Sequence, residues 1–375
     1  MRIAVNTRFL LPGQLEGIGW FTHEVTRRLV KKYPGWRFDF LFDRPFREEF
    51  LYGENVHPHV LFPPARHPLL WYWWFEGSVA NWLKRHAVDV FFSPDTYLSL
   101  RADTPTVLVA HDIAYAHYPE QIPFLARKYY EHFVPRYLRQ AARIVTVSEF
   151  GRRDILAHYP ELDPEKFDLA CNGVKEQLAP LSEREKEAVR QEITGGHPYF
   201  FYLGAVHPRK NVDRLIRAFD RFKETSGEPH RLVIAGRFAW QTDSVRRAYE
   251  QSPYREQILL QGYLGPDELR RVLGAAFALT YVSLFEGFGV PILEAMQCEV
   301  PVITSDVSSM PEVAGDAALL VDPHSIEGIA QAMRQLTADP HLVEGLLEKG
   351  RVQARRFTWD RASEVVERSI LKAVR

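Results

Sequence analysis

Residues 277–294 read FALTYVSLFEGFGVPILE, and this stretch decides the fold. The apolar run 277–282 is typical of a buried parallel strand, and Pro291 indicates that a helix begins close to it. Between strand and helix lies a turn with Gly287 and Gly289, where a bound group can approach the backbone closely. A strand that leads through a glycine turn into a helix is the repeating unit of doubly wound α/β sheets.

The same alternation extends in both directions from this stretch. Strand-like runs occur at 2–6, 88–92, 106–110, 143–147, 199–203, 231–235 and 301–304, and helical patterns at 19–33, 124–142, 211–224, 266–275 and 290–297. We therefore expect an α/β protein with two Rossmann-like, doubly wound domains facing a central cleft. The predicted domains are 1–175 and 176–358, with a linker within 172–198 and a final helix at 359–375.

Composition excludes several classes of protein. The chain has 375 residues, 47 Lys plus Arg against 48 Asp plus Glu, and a net charge of -1. A protein that binds a nucleic-acid backbone usually has a basic excess, so we expect no nucleic-acid partner. Two cysteines do not make a disulfide scaffold, and neither a signal-peptide layout nor a spanning apolar run is present. These features predict a cytoplasmic location.

The turn after 277–282 is the first candidate site. Unpaired N–H groups at the start of the following helix can hold a phosphate. Glu286 lies in the turn and Glu294 in the helix, a spacing that suits hydrogen bonds to sugar hydroxyls. In the alternative interpretation Glu294 is a helix-surface residue and the glycines only form a turn.

A second candidate follows the strand 199–203, where Arg209 and Lys210 precede a helix. Adjacent cations at a helix start oppose the helix dipole unless an anion binds there. The alternative is a basic pair in contact with solvent.

The first domain offers weaker signals. Gly17 and Gly19 precede a predicted helix, but the third glycine of a dinucleotide fingerprint is missing, and a plain turn is the simpler interpretation. His111, beside Asp112, directly follows the strand 106–110 and could contact a polar ligand, although a lone histidine is more often structural.

Aromatic residues are concentrated in the first domain, which has 31 of the 48. Within 71–82, Trp71, Trp74, Phe75, Val79 and Trp82 share one face of a helix. We expect that face to be core. The alternative is an acceptor-binding or membrane-surface patch, since Trp and basic residues favour interfaces.

Taken together, these segments resemble the retaining glycosyltransferases of family 4, which have a GT-B fold. The resemblance rests on SLFEGFGVPILEAM, with two glutamates around a GFG turn, and continues through PVITSDVSSMPEVAGDAALLVDP, FYLGAVHPRKNVDRLIRAF, VSEFGRRDI, NGV, HDIAYAHYPE and EGIGWFTHEV. It covers nearly the whole chain in one order and is strongest in the second domain. Glu299 departs from it, because relatives usually have glycine at that position.

The resemblance implies that the second domain binds a nucleotide-sugar donor. Arg209 and Lys210 would neutralise the departing diphosphate, and Glu286 would hold hydroxyls of the transferred sugar. The backbone N–H groups of Phe288–Val290 would orient sugar and phosphate, and Glu294 would bind the ribose.

The resemblance also implies roles for the first domain, which would bind the acceptor. His111 would contact the sugar, and the loop with Gly17 and Gly19 would lie near the phosphates. Trp20 stands where relatives often have arginine, so no phosphate contact is transferred to it. The final helix would cross back to the first domain.

The resulting expectation is transfer of a hexose, with retention and without a metal or other cofactor, to a glycan or lipid-linked acceptor in polysaccharide biosynthesis. The resemblance to bacterial mannosyltransferases favours GDP-mannose as donor. A UDP-sugar, as in glucosyl or N-acetylglucosaminyl transfer, is the alternative donor. A non-catalytic nucleotide-sugar-binding module is the alternative class. Peripheral contact with the inner face of the membrane through the first domain remains a hypothesis.

Overall fold

A computed structural model of the chain describes residues 1–13, 15–237 and 242–374. It divides into two compact units: one comprises 1–173 together with 358–375, and the other comprises 174–357. The boundaries expected from the sequence, after 175 and after 358, fall within two residues of these. Arg375, the last residue of the expected final helix, lies outside the described part.

The first unit is built on a seven-stranded parallel sheet in the order β3-β2-β1-β4-β5-β6-β7. Its strands are β1 Arg2–Asn6, β2 Arg37–Phe42, β3 Val56–Val60, β4 Val90–Ser93, β5 Thr106–Ala110, β6 Arg143–Thr146 and β7 Phe167–Leu169. Its helices are α1 Gly17–Lys32, α2 Pro68–Tyr72, α3 Ala80–Arg85, α4 Ala114–His117, α5 Phe124–Gln140, α6 Glu149–His158 and α15 Trp359–Val374. A π-helical segment, Trp73–Val79, joins α2 to α3.

The second unit has a six-stranded parallel sheet in the order β10-β9-β8-β11-β12-β13. Its strands are β8 Tyr199–Leu203, β9 Arg231–Ala235, β10 Ile258–Gly262, β11 Ala278–Tyr281, β12 Val302–Ser305 and β13 Leu319–Val321. Its helices are α7 Glu183–Thr194, α8 Val212–Ser226, α9 Asp243–Gln251, α10 Pro266–Gly274, α11 Val290–Gln297, α12 Met310–Ala314, α13 Ile326–Ala338 and α14 Pro340–Ala354.

All eight predicted strands correspond to observed strands, with ends that differ by at most two residues. Five observed strands were not predicted, namely β2, β3, β7, β10 and β13. In two of them, a charged residue or a proline breaks the apolar pattern that predicts a strand. Asp39 interrupts the apolar run of β2, and Pro58 lies in β3. Asp39 is nevertheless buried, because it accepts hydrogen bonds from Arg2, Arg37 and His59.

The predicted linker contains a helix, which corrects the expectation for 172–198. Ser182 caps α7 by accepting a hydrogen bond from the backbone of Glu185, while the Glu185 side chain accepts one from the Ser182 backbone. This capping box turns the charged stretch into a regular helix that belongs to the second unit.

The aromatic segment 71–82 contributes to the core, as expected. Trp74, Phe75 and Val79 are fully buried and Trp82 almost so, while Trp71 packs against the same cluster. The segment is not one regular helix, since its middle is π-helical. The excess of aromatic residues therefore mostly fills the interior of the first unit.

The final helix, α15, packs on the first unit, where the sequence expectation placed it. Arg28 and Lys32 of α1 form ion pairs with Asp360 and Glu367, both at 2.6 Å. Trp359 at its start is buried against Phe21.

Glu299 occupies a left-handed backbone conformation with a φ of 53°, which favours the glycine that the resemblance implies at this position. Its carboxylate forms an ion pair with Arg351 at 2.9 Å. The departure is therefore confined to a turn. Among the described residues, no helix has the length and apolar character required to cross a membrane.

Candidate active site

The site in the second unit lies where the order of the sheet reverses. Strands β8 and β11 are neighbours, yet the chain runs outward from β8 to β10 and returns to β11. Ligands of open parallel sheets bind at this switch point, beyond the carboxyl ends of the strands. Arg209 and Lys210 follow β8, and Glu286 follows β11, so the topology brings them together.

Glu286 is the centre of the cluster. Its carboxylate accepts hydrogen bonds from Lys210 Nζ at 2.6 Å, the Tyr281 hydroxyl at 2.8 Å and Arg209 Nη1 at 3.2 Å. Burial alone would raise its pKa, but Lys210 and Arg209 lower the pKa of Glu286 to about 2. The pKa of Tyr281 is raised by burial and by Glu286, so its hydroxyl remains a donor. Two cations share this one carboxylate, so these three side chains together have an excess positive charge.

The position of Lys210 is fixed by the residue that follows it. Asn211 has a φ of 60°, between the short turn Pro208–Lys210 and the start of α8. Its side-chain amide donates to the carbonyl oxygens of Val282 and Pro323, at 2.9 and 2.7 Å. The turn with the two cations is thereby attached to the end of β11.

The glycine turn is held from the opposite side by two serines. Ser309 Oγ donates to the carbonyl oxygens of Glu286 and Phe288, at 2.9 and 2.8 Å, and Ser308 Oγ accepts from the Glu286 backbone N–H at 3.1 Å. Gly289 caps α11 with a φ of 105°. Gly287, by contrast, does not have a positive φ.

The start of α11 has unused hydrogen-bond donors. Phe288 and Gly289 are buried residues, and their backbone N–H groups donate to none of the described residues. Val290 then begins the helix. Unpaired N–H groups and the positive end of the helix dipole favour an anion at this position.

Glu294 lies on the buried face of α11, so the interpretation as a helix-surface residue is wrong. Lys175 Nζ is 2.7 Å from Glu294 Oε1, and both side chains are largely buried. Sequence reasoning did not identify Lys175, because it lies more than a hundred residues before its partner. Lys175 is the one cation paired with Glu294 among the described residues, so the carboxylate retains lone pairs for hydroxyl groups.

In the first unit, His111 lies at the end of β5 with its ring packed edge-on against Phe21. Its Nε2 is 2.9 Å from the carbonyl oxygen of Pro94, to which Nε2–H donates. Burial lowers the pKa of His111. The imidazole is therefore neutral, and Nδ1 is left as an acceptor.

Gly17 and Gly19 lie inside the first turn of α1, not in a loop before it as expected. A side chain at Gly19 would come within 2.7 Å of the Phe9 carbonyl oxygen, so the helix can pack closely on the loop after β1 only with glycine there. At Gly17, a Cβ would have none of the other described residues within 4 Å, apart from its chain neighbours and the backbone of its own helix.

The described part of the second unit thus brings Arg209, Lys210, Glu286 and the turn 287–290 into one cluster, with Glu294 on the same helix as that turn. Two cations and unused helix N–H groups at the switch point of a parallel sheet are features that favour a diphosphate or a similar anion.

Comparisons with known proteins identify the family to which the chain belongs. Residues 183–353 match the family of glycosyl transferases group 1, and residues 15–178 match glycosyltransferase family 4. The O-antigen chain mannosyltransferase B of Escherichia coli is 30% identical over 359 residues, which are 92% of this chain and 93% of the relative. The chain belongs to the group 1 glycosyltransferases and is a glycosyltransferase.

Solved structures show the fold. WaaG, a glycosyltransferase involved in lipopolysaccharide biosynthesis, has a TM-score of 0.76 at 18% identity and 98% coverage of both chains. Anabaena HepE in complex with UDP-glucose has a TM-score of 0.78 at 15% identity and 99% coverage of both chains. These similarities confirm the GT-B fold that the sequence predicted.

Proposed function

We propose that this glycosyltransferase transfers mannose from GDP-mannose to a glycan or lipid-linked acceptor in polysaccharide assembly, with retention of configuration. The observation that carries the proposal is the cluster of Arg209, Lys210 and Glu286 at the switch point. Its excess positive charge suits the diphosphate of a nucleotide sugar. The choice of mannose rests on the relative that is an O-antigen chain mannosyltransferase.

The reaction places its greatest electrostatic demand on the leaving group. As the bond to the anomeric carbon breaks, negative charge grows on the diphosphate. Arg209, Lys210 and the N–H groups at the start of α11 would stabilise that charge. These fixed positive groups would do so without a metal ion, so we propose no metal or other cofactor.

Proton transfer does not require a strong base in this proposal. The leaving phosphate would accept the proton of the attacking hydroxyl, as in a front-face mechanism. Glu286 is poorly suited to be the base, because its pKa of about 2 is far from neutral pH. As an ionised acceptor it would instead hold hydroxyls of the transferred sugar, while Glu294 would bind the ribose.

The donor is tested by calorimetric titration with GDP and UDP, followed by incubation with GDP-mannose. We expect GDP to bind at least about tenfold more tightly than UDP, and GDP-mannose to be slowly hydrolysed at a rate that EDTA does not change. Tighter binding of UDP would overturn the choice of base and favour a UDP-sugar donor, for which the HepE complex gives a precedent among structures of the same fold. If nucleotides bind but no donor is turned over, the chain is a non-catalytic binding module.

We also propose that the first unit contacts a membrane surface. A groove of about 590 Å³ between α2 and α5 is lined mostly by apolar and aromatic side chains that include Leu69, Tyr72 and Leu125, together with Lys128, Glu131 and His132. Leu69 and the neighbouring Trp73 are 62% and 61% exposed, although a soluble surface rarely exposes such side chains together. Tryptophan at this exposure is typical of contact with lipid headgroups.

Sedimentation with phosphatidylglycerol vesicles at low salt tests this contact. The Leu69→Ser/Trp73→Ser double variant should reduce the sedimented fraction by at least about fivefold, because apolar insertion provides most of the binding energy. Val352→Ser, at a residue of the second unit that is 60% exposed, is the matched control and should sediment like the wild type. Absence of wild-type sedimentation would reject the membrane contact.

A further inference from the structure

The sheet of the first unit has its own switch point, between β1 and β4, and a buried ion pair lies there. Arg8 follows β1 and Asp95 follows β4. Arg8 Nε is 2.7 Å from Asp95 Oδ2, and the two side chains are only 5% and 2% exposed. Neither residue stands out in the sequence, and neither has a role in the proposed donor site.

The guanidinium of Arg8 is held in an aromatic setting. Its central carbon lies 3.9 Å from the centre of the Tyr97 ring and 5.4 Å from that of Phe75. Asp95 is fixed as well, because its Oδ1 accepts hydrogen bonds from the Tyr97 backbone at 3.1 Å and from Ser93 Oγ at 3.2 Å. Both charged groups therefore have defined positions before any ligand binds.

The guanidinium of Arg8 has more N–H donors than the described residues use. Its Nε–H donates to Asp95, and the Tyr97 hydroxyl also contacts the guanidinium. The hydroxyl of Tyr97 itself donates to Tyr130 at 3.3 Å. The guanidinium has five N–H groups, so most of them are left for another partner. A buried arginine with unused donors at a ligand-binding edge indicates a binding site.

The charges around the pair indicate which ligand fits. One cation faces one carboxylate, Asp112 adds a second carboxylate after the neighbouring strand β5, and His111 is neutral. A phosphate would meet no excess positive charge here, in contrast to the two cations around Glu286 in the second unit. Paired donors and acceptors beside aromatic rings instead suit the hydroxyls of a neutral sugar.

We propose that Arg8 and Asp95 form the acceptor subsite and hydrogen-bond the hydroxyl groups of a neutral sugar ring at the end of the acceptor. The proposal rests on the glycosyltransferase function and names which part of the acceptor the first unit recognises. Pro94 links the pair to His111, since the Pro94 carbonyl holds the imidazole and Asp95 is the next residue.

Saturation-transfer NMR tests the subsite directly, with the methyl glycosides of mannose, glucose, galactose and N-acetylglucosamine as probes and dimethyl phosphate as the anionic probe. At least one glycoside should bind the wild type, and dimethyl phosphate should not compete with it. Arg8→Met should weaken that glycoside by at least about tenfold, because a charged hydrogen bond is lost. Asp95→Asn and Arg8→Lys test the same contact with smaller changes in volume.

Arg143→Met is the matched control, because Arg143 forms a similar ion pair with Asp168, at 2.7 Å, at the opposite edge of the same sheet. It should bind the glycosides like the wild type.

The proposed subsite is refuted if no glycoside binds, if dimethyl phosphate competes, or if all three site variants bind the glycoside normally. Titration with GDP and UDP on the same samples reports on the second unit. Retained nucleotide binding with a failed subsite would refute only this inference, and loss of nucleotide binding by the wild type would refute the proposed function.

Discussion

Lys210→Ala should lower the turnover of GDP-mannose by at least about 100-fold, the loss expected when one charged donor to a developing anion is removed. Lys210 is one of two cations at the switch point of the second unit, and its ammonium group is fixed by Glu286 at 2.6 Å and by Tyr281 at 3.0 Å. A fixed charge needs no rearrangement when negative charge grows on the diphosphate. The effect should therefore appear in kcat more than in KM.

The measurement is nucleotide release from GDP-mannose at saturating donor, with Lys210→Arg and Lys186→Ala alongside. Lys210→Arg keeps the charge and should recover part of the lost turnover. Lys186 pairs with Glu183 on the surface of α7 in the same unit, so its replacement should have no effect. Turnover within about twofold of the wild type in Lys210→Ala, with the protein folded by circular dichroism, would refute the role assigned to Lys210.

The sequence was sufficient for the fold because parallel strands buried on both faces have continuous apolar runs, such as 106–110 and 199–203. It failed at five strands, and in two of them, β2 and β3, a polar or rigid residue interrupts the pattern. Asp39 in β2 is tolerated only because Arg2, Arg37 and His59 surround it, and those contacts come from three places in the chain. Residues 182–185 of the supposed linker did contain a readable signal, the capping box of Ser182 and Glu185.

The candidate site was predictable only in part, for a similar reason. Arg209, Lys210 and Glu286 stood out because charged residues directly follow apolar runs. Tyr281 did not, because inside the apolar run 277–282 it is indistinguishable from a core residue. Its hydroxyl nevertheless donates to Glu286.

Residues that act through distant partners were missed as well. Lys175 can be recognised as a site residue only from its ion pair with Glu294, and Arg8 only from its ion pair with Asp95. The fold brings the two members of each pair together. Pairing across the fold is a property of topology that a single sequence does not display.

Glu286→Gln should change GDP binding and GDP-mannose turnover in opposite directions. The amide keeps the shape of the side chain but removes the charge that balances Arg209 and Lys210. The site then becomes more positive, so we expect GDP to bind more tightly, by about threefold or more. Turnover of GDP-mannose should nevertheless fall by at least about tenfold, because an amide is a weaker acceptor for the hydroxyls of the transferred sugar.

The same variant should change how stability depends on pH. Because the folded-state pKa of Glu286 is about 2 against 4.5 for the free side chain, the ionised group stabilises the folded protein above pH 4.5. That stabilisation, about 3 kcal/mol at most, is lost as the pH falls from 4.5 toward 2. In urea unfolding between pH 6 and about pH 3, Glu286→Gln should therefore be less stable than the wild type at pH 6 and approach its stability at the acidic end.

The control is Glu327→Gln, which removes an exposed carboxylate that pairs with Arg221. The unfolding free energy of this variant should change with pH in parallel with that of the wild type. Parallel curves for the wild type and Glu286→Gln, with weaker GDP binding by the variant, would mean that Glu286 is not the ionised partner of the two cations.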